Sequence, residues 1–162
     1  MYNKLMVPLD GSKLAECVFP HLETVTRGCL STPEIELVTA VEPIAVPRGR
    51  EVSRMSSLDE LTRYESHQQT DAEGYLKEKV AYLKERGIAA NSRVVMGRAG
   101  EALSKYANEN SVDLIIMSTH GRSGVNRLVW GSIAEHVLRN VHAPVLMVRA
   151  ATYGPGPQDH AR

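Results

Sequence analysis

The chain has 162 residues, 43% of them hydrophobic, and its 19 basic and 19 acidic side chains leave a formal net charge of zero. This length fits one domain with a sizeable core, and the balanced charge provides no field that would favour nucleic acid or an anionic membrane. The sequence has no apolar stretch of membrane-spanning length and no visible signal peptide, so we expect a cytoplasmic protein. Cys17 and Cys29 lack metal-ligand spacing and are expected to be reduced thiols.

The first part of the chain alternates short apolar runs with helical patterns. A strand is predicted over residues 4–8 and a helix over 12–26, capped by its first serine and kinked or broken at Pro20. A second strand is predicted over 34–41. Residues 43–60 follow as a long connection, of a kind that is usually mobile or functional.

The same alternation continues to residue 149. A long helix is predicted over 61–86, and Gly87 ends it as a C-cap. The remaining predicted elements are a strand over 90–96, a helix over 100–108, a strand over 112–117, a helix over 131–140 and a strand over 144–149. This order predicts an α/β domain over 1–150 with a parallel sheet covered by helices on both faces. Residues 151–162, rich in glycine and proline, are predicted to be a flexible tail.

The segment from Asp113 to Ser132 carries the strongest functional signal. A short apolar strand breaks into a loop containing Gly121, Gly124 and Gly131, and Ser132 then opens an amphipathic helical pattern. Glycine lets the main chain approach a ligand, and a helix N-terminus adds N–H donors, so the pattern is typical of phosphate binding. Ser132 would either cap the helix or bind a phosphate oxygen. Such loops also form turns that bind nothing, and this one matches neither common phosphate-loop motif.

Three motifs, in the same order along the chain, resemble the universal stress protein family. The loop spacing is Ser118-x2-Gly121-x9-Gly131-Ser132, similar to the family's Gly-x2-Gly-x9-Gly-Ser/Thr nucleotide loop with serine at the first glycine. Residues 7–12, Val-Pro-Leu-Asp-Gly-Ser, resemble the family's opening signature, and residues 143–148, Ala-Pro-Val-Leu-Met-Val, its closing strand. The resemblance implies a Rossmann-like open sheet of five parallel strands in the order 3-2-1-4-5.

In a sheet of this order, ligands bind beyond the carboxyl ends of the strands where the order reverses, here between the first and fourth strands. The opening motif and the glycine loop would therefore meet in one crevice. The resemblance implies ATP or AMP as the ligand, with Mg²⁺ or Mn²⁺ optional at the phosphates and cyclic AMP as an alternative. The candidate nucleotide-binding residues are Pro8, Leu9, Asp10, Ala40, Met117, Ser118, His120, Gly121, Arg122, Ser123, Gly131, Ser132 and Ile133.

We expect different roles for individual residues of this set. Asp10 either stabilises a turn or, as the resemblance implies, accepts hydrogen bonds from ribose hydroxyls. Ala40 matches a position whose backbone reads the adenine edge in nucleotide-binding relatives. His120 has no base, orienting group or nucleophile beside it in sequence, which favours a loop-ordering hydrogen bond over catalysis. Arg122 and Arg127 add positive charge near the expected phosphates.

Ser118 is the main departure from the family's loop. If the first glycine serves a positive φ, serine there costs about 1–2 kcal/mol, roughly 5- to 30-fold in affinity. If the backbone is extended instead, the cost is steric only and the hydroxyl becomes available as a donor. The sequence leaves both alternatives open.

The resemblance implies the function of a nucleotide-responsive regulator in the stress response, rather than that of a metabolic enzyme. The alternatives are a slow ATP hydrolase or phosphotransferase that uses His120 or Ser132, and a structural dimer with an empty crevice. A homodimer is predicted through residues 143–149, because an apolar edge strand invites pairing with a second copy.

Overall fold

The computed structural model describes residues 2–43, 55–119 and 131–149, with side chains from residue 62 onward in the second range. Their elements are β1 (Lys4–Pro8), a 3₁₀ helix (Ala15–Val18), α1 (Phe19–Gly28), β2 (Glu34–Val41), α2 (Met55–Glu85), β3 (Asn91–Met96), α3 (Ala99–Glu109), β4 (Leu114–Ser118), α4 (Ser132–Asn140) and β5 (Val145–Val148). The predicted alternation of strands and helices is confirmed. The predicted tail, residues 151–162, lies outside the described residues, so the division of the chain at residue 150 stays a prediction.

The five strands form one parallel sheet in the order β3-β2-β1-β4-β5. This is the order that the family resemblance implies. It places β1 at the centre of the sheet. From β1 the chain adds β2 and β3 on one side, and it then returns to add β4 and β5 on the other side, so the strand order reverses between β1 and β4. Ligands of open parallel sheets bind at such a reversal, on the side of the carboxyl ends.

Both faces of the sheet are buried, which explains why its central strands are continuously apolar. On β1, Leu5 and Val7 pack with α1 and α2, whereas Met6 packs on the opposite face with α3 and α4. Successive side chains of a strand point to opposite faces, so one strand supplies both halves of the core. Leu22, Leu76 and Leu83 complete the first half and Leu103, Ala134 and Val137 the second.

The first helical segment is divided into two pieces. The single helix predicted over 12–26 is a 3₁₀ turn followed by α1, which begins at Phe19. Pro20 lies in the first turn of α1, where its missing N–H removes no intrahelical hydrogen bond. The expected break therefore occurs just before the proline rather than after it.

The helix α2 is longer than predicted, because it begins at Met55 and spans 31 residues. Residues 55–60 were expected in the preceding connection, since Ser56 and Ser57 have the composition of a loop. Serine also favours helix N-termini, so composition alone does not separate the two cases. Gly87 has a φ of 77° and ends the helix as predicted. β1 and β2 have the predicted bounds, and the bounds of β3, α3, β4, α4 and β5 differ from the predicted ones by one or two residues.

Candidate functional site

The two sequence motifs emerge from neighbouring strands. β1 and β4 are parallel, with Leu5 paired to Leu114 and Met6 to Ile115. Their carboxyl ends, Pro8 and Ser118, therefore lie on the same edge of the sheet, at the reversal of strand order. Among the residues that can be described, this edge has the geometry expected of a ligand crevice in an open parallel sheet.

Asp10 shapes the turn that leaves β1. Its Oδ1 accepts hydrogen bonds from the backbone N–H and the hydroxyl of Ser12, at 2.9 and 2.6 Å. Between them, Gly11 has a φ of 82°, a conformation that glycine adopts without steric cost. The Ser12 hydroxyl oxygen in turn accepts the N–H of Ala15 at 3.1 Å and so caps the 3₁₀ turn. The turn-stabilising role expected of Asp10 is confirmed, whereas its ribose contact stays a prediction.

The residue before this turn is held against β2. The N–H of Leu9 donates to the carbonyl of Val38 at 2.9 Å, and the hydroxyl of Thr39 donates to the carbonyl of Leu9 at 2.9 Å. Thr39 is buried, so this hydroxyl satisfies a carbonyl that water does not reach. Sequence reasoning missed Thr39, although a hydroxyl inside an apolar strand is the signal that would have found it.

Gly131 joins the start of α4 to the end of β4. Its N–H donates to the carbonyl of Thr119 at 3.0 Å, and its own carbonyl accepts the N–H of Glu135 at 3.0 Å. A β-carbon at Gly131 would lie 3.2 Å from the same Thr119 oxygen, so glycine permits the close approach. The first N–H groups of α4 after Gly131, those of Ser132 and Ile133, have no intrahelical acceptor and lie at the end of β4.

Two alternatives left open by the sequence are resolved at this edge. Gly131 is the N-cap of α4 and Ser132 its first helical residue, so the expectation that Ser132 caps the helix is wrong. Ser118 is the last residue of β4, and among the described non-glycine residues only Ser111 has a positive φ. Serine at the first loop position therefore carries no conformational penalty.

The predicted site residues differ in how far their side chains are exposed to solvent. Pro8, Leu9 and Met117 bury their side chains in the core, so only their backbone could meet a ligand. Ala40 and Asp10 are half-buried, and Ser132 and Ile133 are exposed. The loop residues His120, Gly121, Arg122 and Ser123 lie outside the described residues, as do Gly124 and Arg127.

A side-chain network connects the turn after β1 to α2. Oε1 of Glu16, in the 3₁₀ helix, accepts the hydroxyl of Tyr75 at 3.1 Å and lies 3.1 Å from Nζ of Lys79. Burial, the charge and hydrogen bond of Glu16, and the charge of Asp10 all raise the pKa of Tyr75 above its ordinary value. The phenol thus keeps its proton throughout the physiological pH range, and its hydroxyl donates a hydrogen bond to Glu16.

A second tyrosine–carboxylate pair lies on the other face of the sheet, toward the amino ends of the strands. Tyr106 of α3 donates to Oε2 of the buried Glu36, which is also 3.3 Å from Nζ of Lys4. Burial, followed by the hydrogen bond to Glu36, raises the pKa of Tyr106 to about 12. This pair satisfies a buried charge of β2 and lies away from the crevice edge.

Three further observations concern metal ions, thiols and membranes. Across the described ranges, no three histidine, cysteine, aspartate or glutamate side chains gather where they could hold a metal ion. Cys17 and Cys29 are both half-buried and unpaired, as expected of reduced thiols. None of the described helices is both long and apolar enough to cross a membrane.

Comparison with known proteins agrees with the fold. A sequence model of the universal stress protein family matches residues 1–149. The chain belongs to this family. Universal stress protein MJ0531 of Methanocaldococcus jannaschii is 27% identical to it over 150 residues, covering 92% of this chain and 83% of the relative.

Solved structures of the family show the same architecture. Universal stress protein MJ0577 of Methanocaldococcus jannaschii is similar to this chain with a TM-score of 0.77 at 26% identity, covering 92% of this chain and 96% of the other. A family member from Arabidopsis thaliana, solved with AMP bound, has a TM-score of 0.64 at 14% identity and covers 93% of both chains. At that identity the likeness shows the fold alone.

Proposed function

We propose that this universal stress protein binds an adenine nucleotide, ATP or AMP, in the crevice between the ends of β1 and β4. The observation that carries the proposal is the hydrogen bond from Gly131 to Thr119. It brings the N-terminus of α4 to the end of β4, beside the strand that presents Asp10. A helix N-terminus with open N–H groups is a suitable partner for phosphate oxygens.

The phosphates would be held by backbone donors from two segments. Those of Ser132 and Ile133 come from the first turn of α4, and those of 121–123 from the glycine loop. The N–H of Gly131 is already donated to Thr119, so the role of this glycine is to permit close approach rather than to bind phosphate. Mg²⁺ or Mn²⁺ would accompany the phosphates as an optional partner.

The adenosine would lie on the side of β1 and β2. Asp10 follows β1 and would face the ribose hydroxyls, while the backbone near Ala40, close to the end of β2, would meet the adenine edge. Solved universal stress proteins with cyclic AMP, AMP and dAMP support an adenosine site in this fold. These relatives are 14–21% identical to this chain, so the ligand itself belongs to the proposal.

The biological role we propose is that of a nucleotide-responsive regulator in the cytoplasmic stress response. It would act as a homodimer through β5. The two edges of the sheet differ in character, because β3 begins with the polar residues 91–93, whereas β5 consists of four apolar residues. Polar edge residues discourage pairing with another chain, and an apolar edge invites it.

Calorimetric titration of the purified protein with ATP, AMP, cyclic AMP and inorganic triphosphate tests this function. Mass spectrometry of the material that co-purifies tests it independently of the ligand chosen. We expect saturable binding of at least one adenine nucleotide. If no nucleotide binds and none co-purifies, the remaining hypothesis is a structural dimer with an empty crevice. Fast metal-dependent turnover that is lost in His120→Ala would support the hydrolase instead.

A further inference from the structure

The segment that carries Asp10 is weakly held by its own backbone. It includes Gly11 at a φ of 82° and leads into a single 3₁₀ turn, whose hydrogen bond from Cys17 N–H to the Leu14 carbonyl is 3.4 Å long. Normal N–H···O bonds are about 2.9–3.0 Å long, and 3₁₀ geometry is poorer than that of an α-helix. The bonds from Ser12 to Asp10 and the contacts of Leu9 with β2 hold the start of the segment, and its 3₁₀ part depends on side-chain contacts with the rest of the fold.

Besides the apolar packing of Ala15 and Val18, a polar contact comes from α2 and ends on one carboxylate oxygen. Oε1 of Glu16 receives both the Tyr75 hydroxyl and the Lys79 ammonium group, each at 3.1 Å. The Lys79 side chain is 14% exposed, and its Nζ lies 5.3 Å from the centre of the Tyr75 ring. Hydrogen bonds to a charged acceptor are stronger than neutral ones, and partial burial strengthens them further.

A continuous path of hydrogen bonds and covalent neighbours runs from α2 to the crevice. Tyr75 donates to Glu16, which directly follows Ala15, and the N–H of Ala15 donates to the hydroxyl of Ser12. Ser12 then donates twice to Asp10. Short, directional contacts therefore connect Glu16 to the Asp10 carboxylate.

We propose that Tyr75 and Glu16 are positioning residues for the adenosine side of the crevice. They anchor the turn of residues 10–16 to α2, so that the Asp10 carboxylate is preorganised for a ribose. The inference rests on the proposed nucleotide site. It assigns to α2 a role in ligand selection that is separate from phosphate binding by the loop and α4, because the path of hydrogen bonds ends at the Asp10 carboxylate.

The test compares Tyr75→Phe with Tyr106→Phe. Both substitutions remove a phenolic hydroxyl that donates to a glutamate, but Tyr106 lies on the opposite face of the sheet. We expect Tyr75→Phe to weaken ATP binding by about three- to tenfold and to leave inorganic triphosphate binding unchanged. Tyr106→Phe should leave the ratio of the two affinities at the wild-type value. A purely structural role of Tyr75 would not change that ratio.

Two substitutions at Glu16, one that keeps a hydrogen-bond acceptor and one that removes it, provide a second test of the anchor. Glu16→Gln keeps an oxygen that accepts the Tyr75 hydroxyl and loses only the charge beside Lys79. Glu16→Ala removes both contacts. We expect the loss of ATP affinity to be smaller for the glutamine variant than for the alanine variant. Equal losses would contradict a hydrogen-bonded anchor.

Amide hydrogen exchange on the ligand-free protein tests the anchor without any nucleotide. Tyr75→Phe should speed exchange at the N–H groups of Ser12 and Ala15, and Tyr106→Phe should not. Unchanged exchange in Tyr75→Phe, or equal losses of ATP and triphosphate affinity, overturns the inference while the proposed function stands. Wild-type protein that binds no adenine nucleotide overturns the proposed function, and the inference with it.

Discussion

The α-carbon of Gly100 packs against the ring of His136, so closely that a β-carbon there would lie 2.8 Å from Cγ of the imidazole. Gly100 is in the first turn of α3 and His136 in the middle of α4. The pair fixes the distance between these two helices. Because α4 carries the candidate phosphate donors at its N-terminus, this packing also sets where those donors lie relative to β4.

Gly100→Ala should therefore destabilise the fold, even though alanine is the better helix former. The histidine atoms that the new β-carbon would meet are close to its backbone, so relief requires movement of the helix, and we expect a loss of about 1–3 kcal/mol. Gly74→Ala is the matched control, since its β-carbon would meet nothing within 4 Å on α2, and it should stabilise by roughly 0.5–1 kcal/mol. Urea unfolding of both variants measures these free energies. Equal stability of the two would contradict the packing argument.

Gly131→Val should remove nucleotide binding while the fold survives. The backbone there has a φ of −58°, which any residue adopts, but a β-carbon would stand 3.2 Å from the Thr119 carbonyl oxygen. A branched side chain would push α4 away from β4 and fill the crevice, so we expect the ATP affinity to fall by at least about tenfold, or 1.4 kcal/mol. Gly28→Val, with open space around its β-carbon, is the control. Wild-type affinity in both variants would exclude a phosphate site at this helix.

Asp10→Ala should weaken ATP more than inorganic triphosphate, because the carboxylate is assigned to the ribose. The substitution also removes the acceptor for Ser12, so Asp10→Asn is needed beside it. Asparagine keeps an oxygen for the turn and loses the charge, and its effect on ATP should be intermediate. Titration calorimetry with both ligands measures the difference. If the affinity for triphosphate fell as far as the affinity for ATP, Asp10 would position the phosphate-binding loop rather than contact the ribose.

Acid should weaken the fold partly through Asp113. Its Oδ2 accepts the N–H groups of Asn3 and Lys4 at 2.7 and 2.9 Å, and these bonds lower its pKa below the ordinary value. Because its pKa is lower in the folded state, Asp113 stabilises the folded protein at pH values above its unfolded-state pKa of about 3.9. This contribution is lost as the pH falls through the folded-state pKa. The destabilisation caused by Asp113→Ala should thus be greatest near neutral pH and shrink below about pH 4. Unfolding curves at several pH values measure it, and a difference independent of pH would contradict it.

A proline substitution at Met147 tests the proposed dimer more directly than one elsewhere on β5. The carbonyls of Pro144 and Val148 accept N–H groups from Ile115 and Thr119, so the backbone of Val148 faces β4. Backbone groups alternate in direction along a strand, so those of Met147 face away from the sheet. Met147→Pro should remove an outward donor and shift the protein toward monomer, whereas Val148→Pro would break the sheet itself. Light scattering at micromolar concentration measures the mass, and a monomeric wild type would refute the dimer.

The central strands could be predicted because their residues are apolar on both faces, as in 5–7 and 114–117, and this pattern is local in sequence. The order of the strands came instead from the resemblance of three motifs to a family. The role of Glu16 could not be predicted, since its partner Tyr75 is 59 residues away and both side chains fit ordinary helical positions. The hydrogen bond between Gly131 and Thr119 could not be predicted either, because the sequence does not show which backbone N–H groups are already paired.

The hydrogen bonds that Asp113 accepts at the start of β1 also determine how the molecule can be tethered. Asp113 secures the backbone at Asn3 on one rim of the sheet, and the crevice opens on the rim where β1 ends. Five residues at about 3.3 Å each put roughly 17 Å of strand between the two rims. A handle joined before Asn3 would therefore orient the protein on a sensor surface with its crevice facing the flowing analyte.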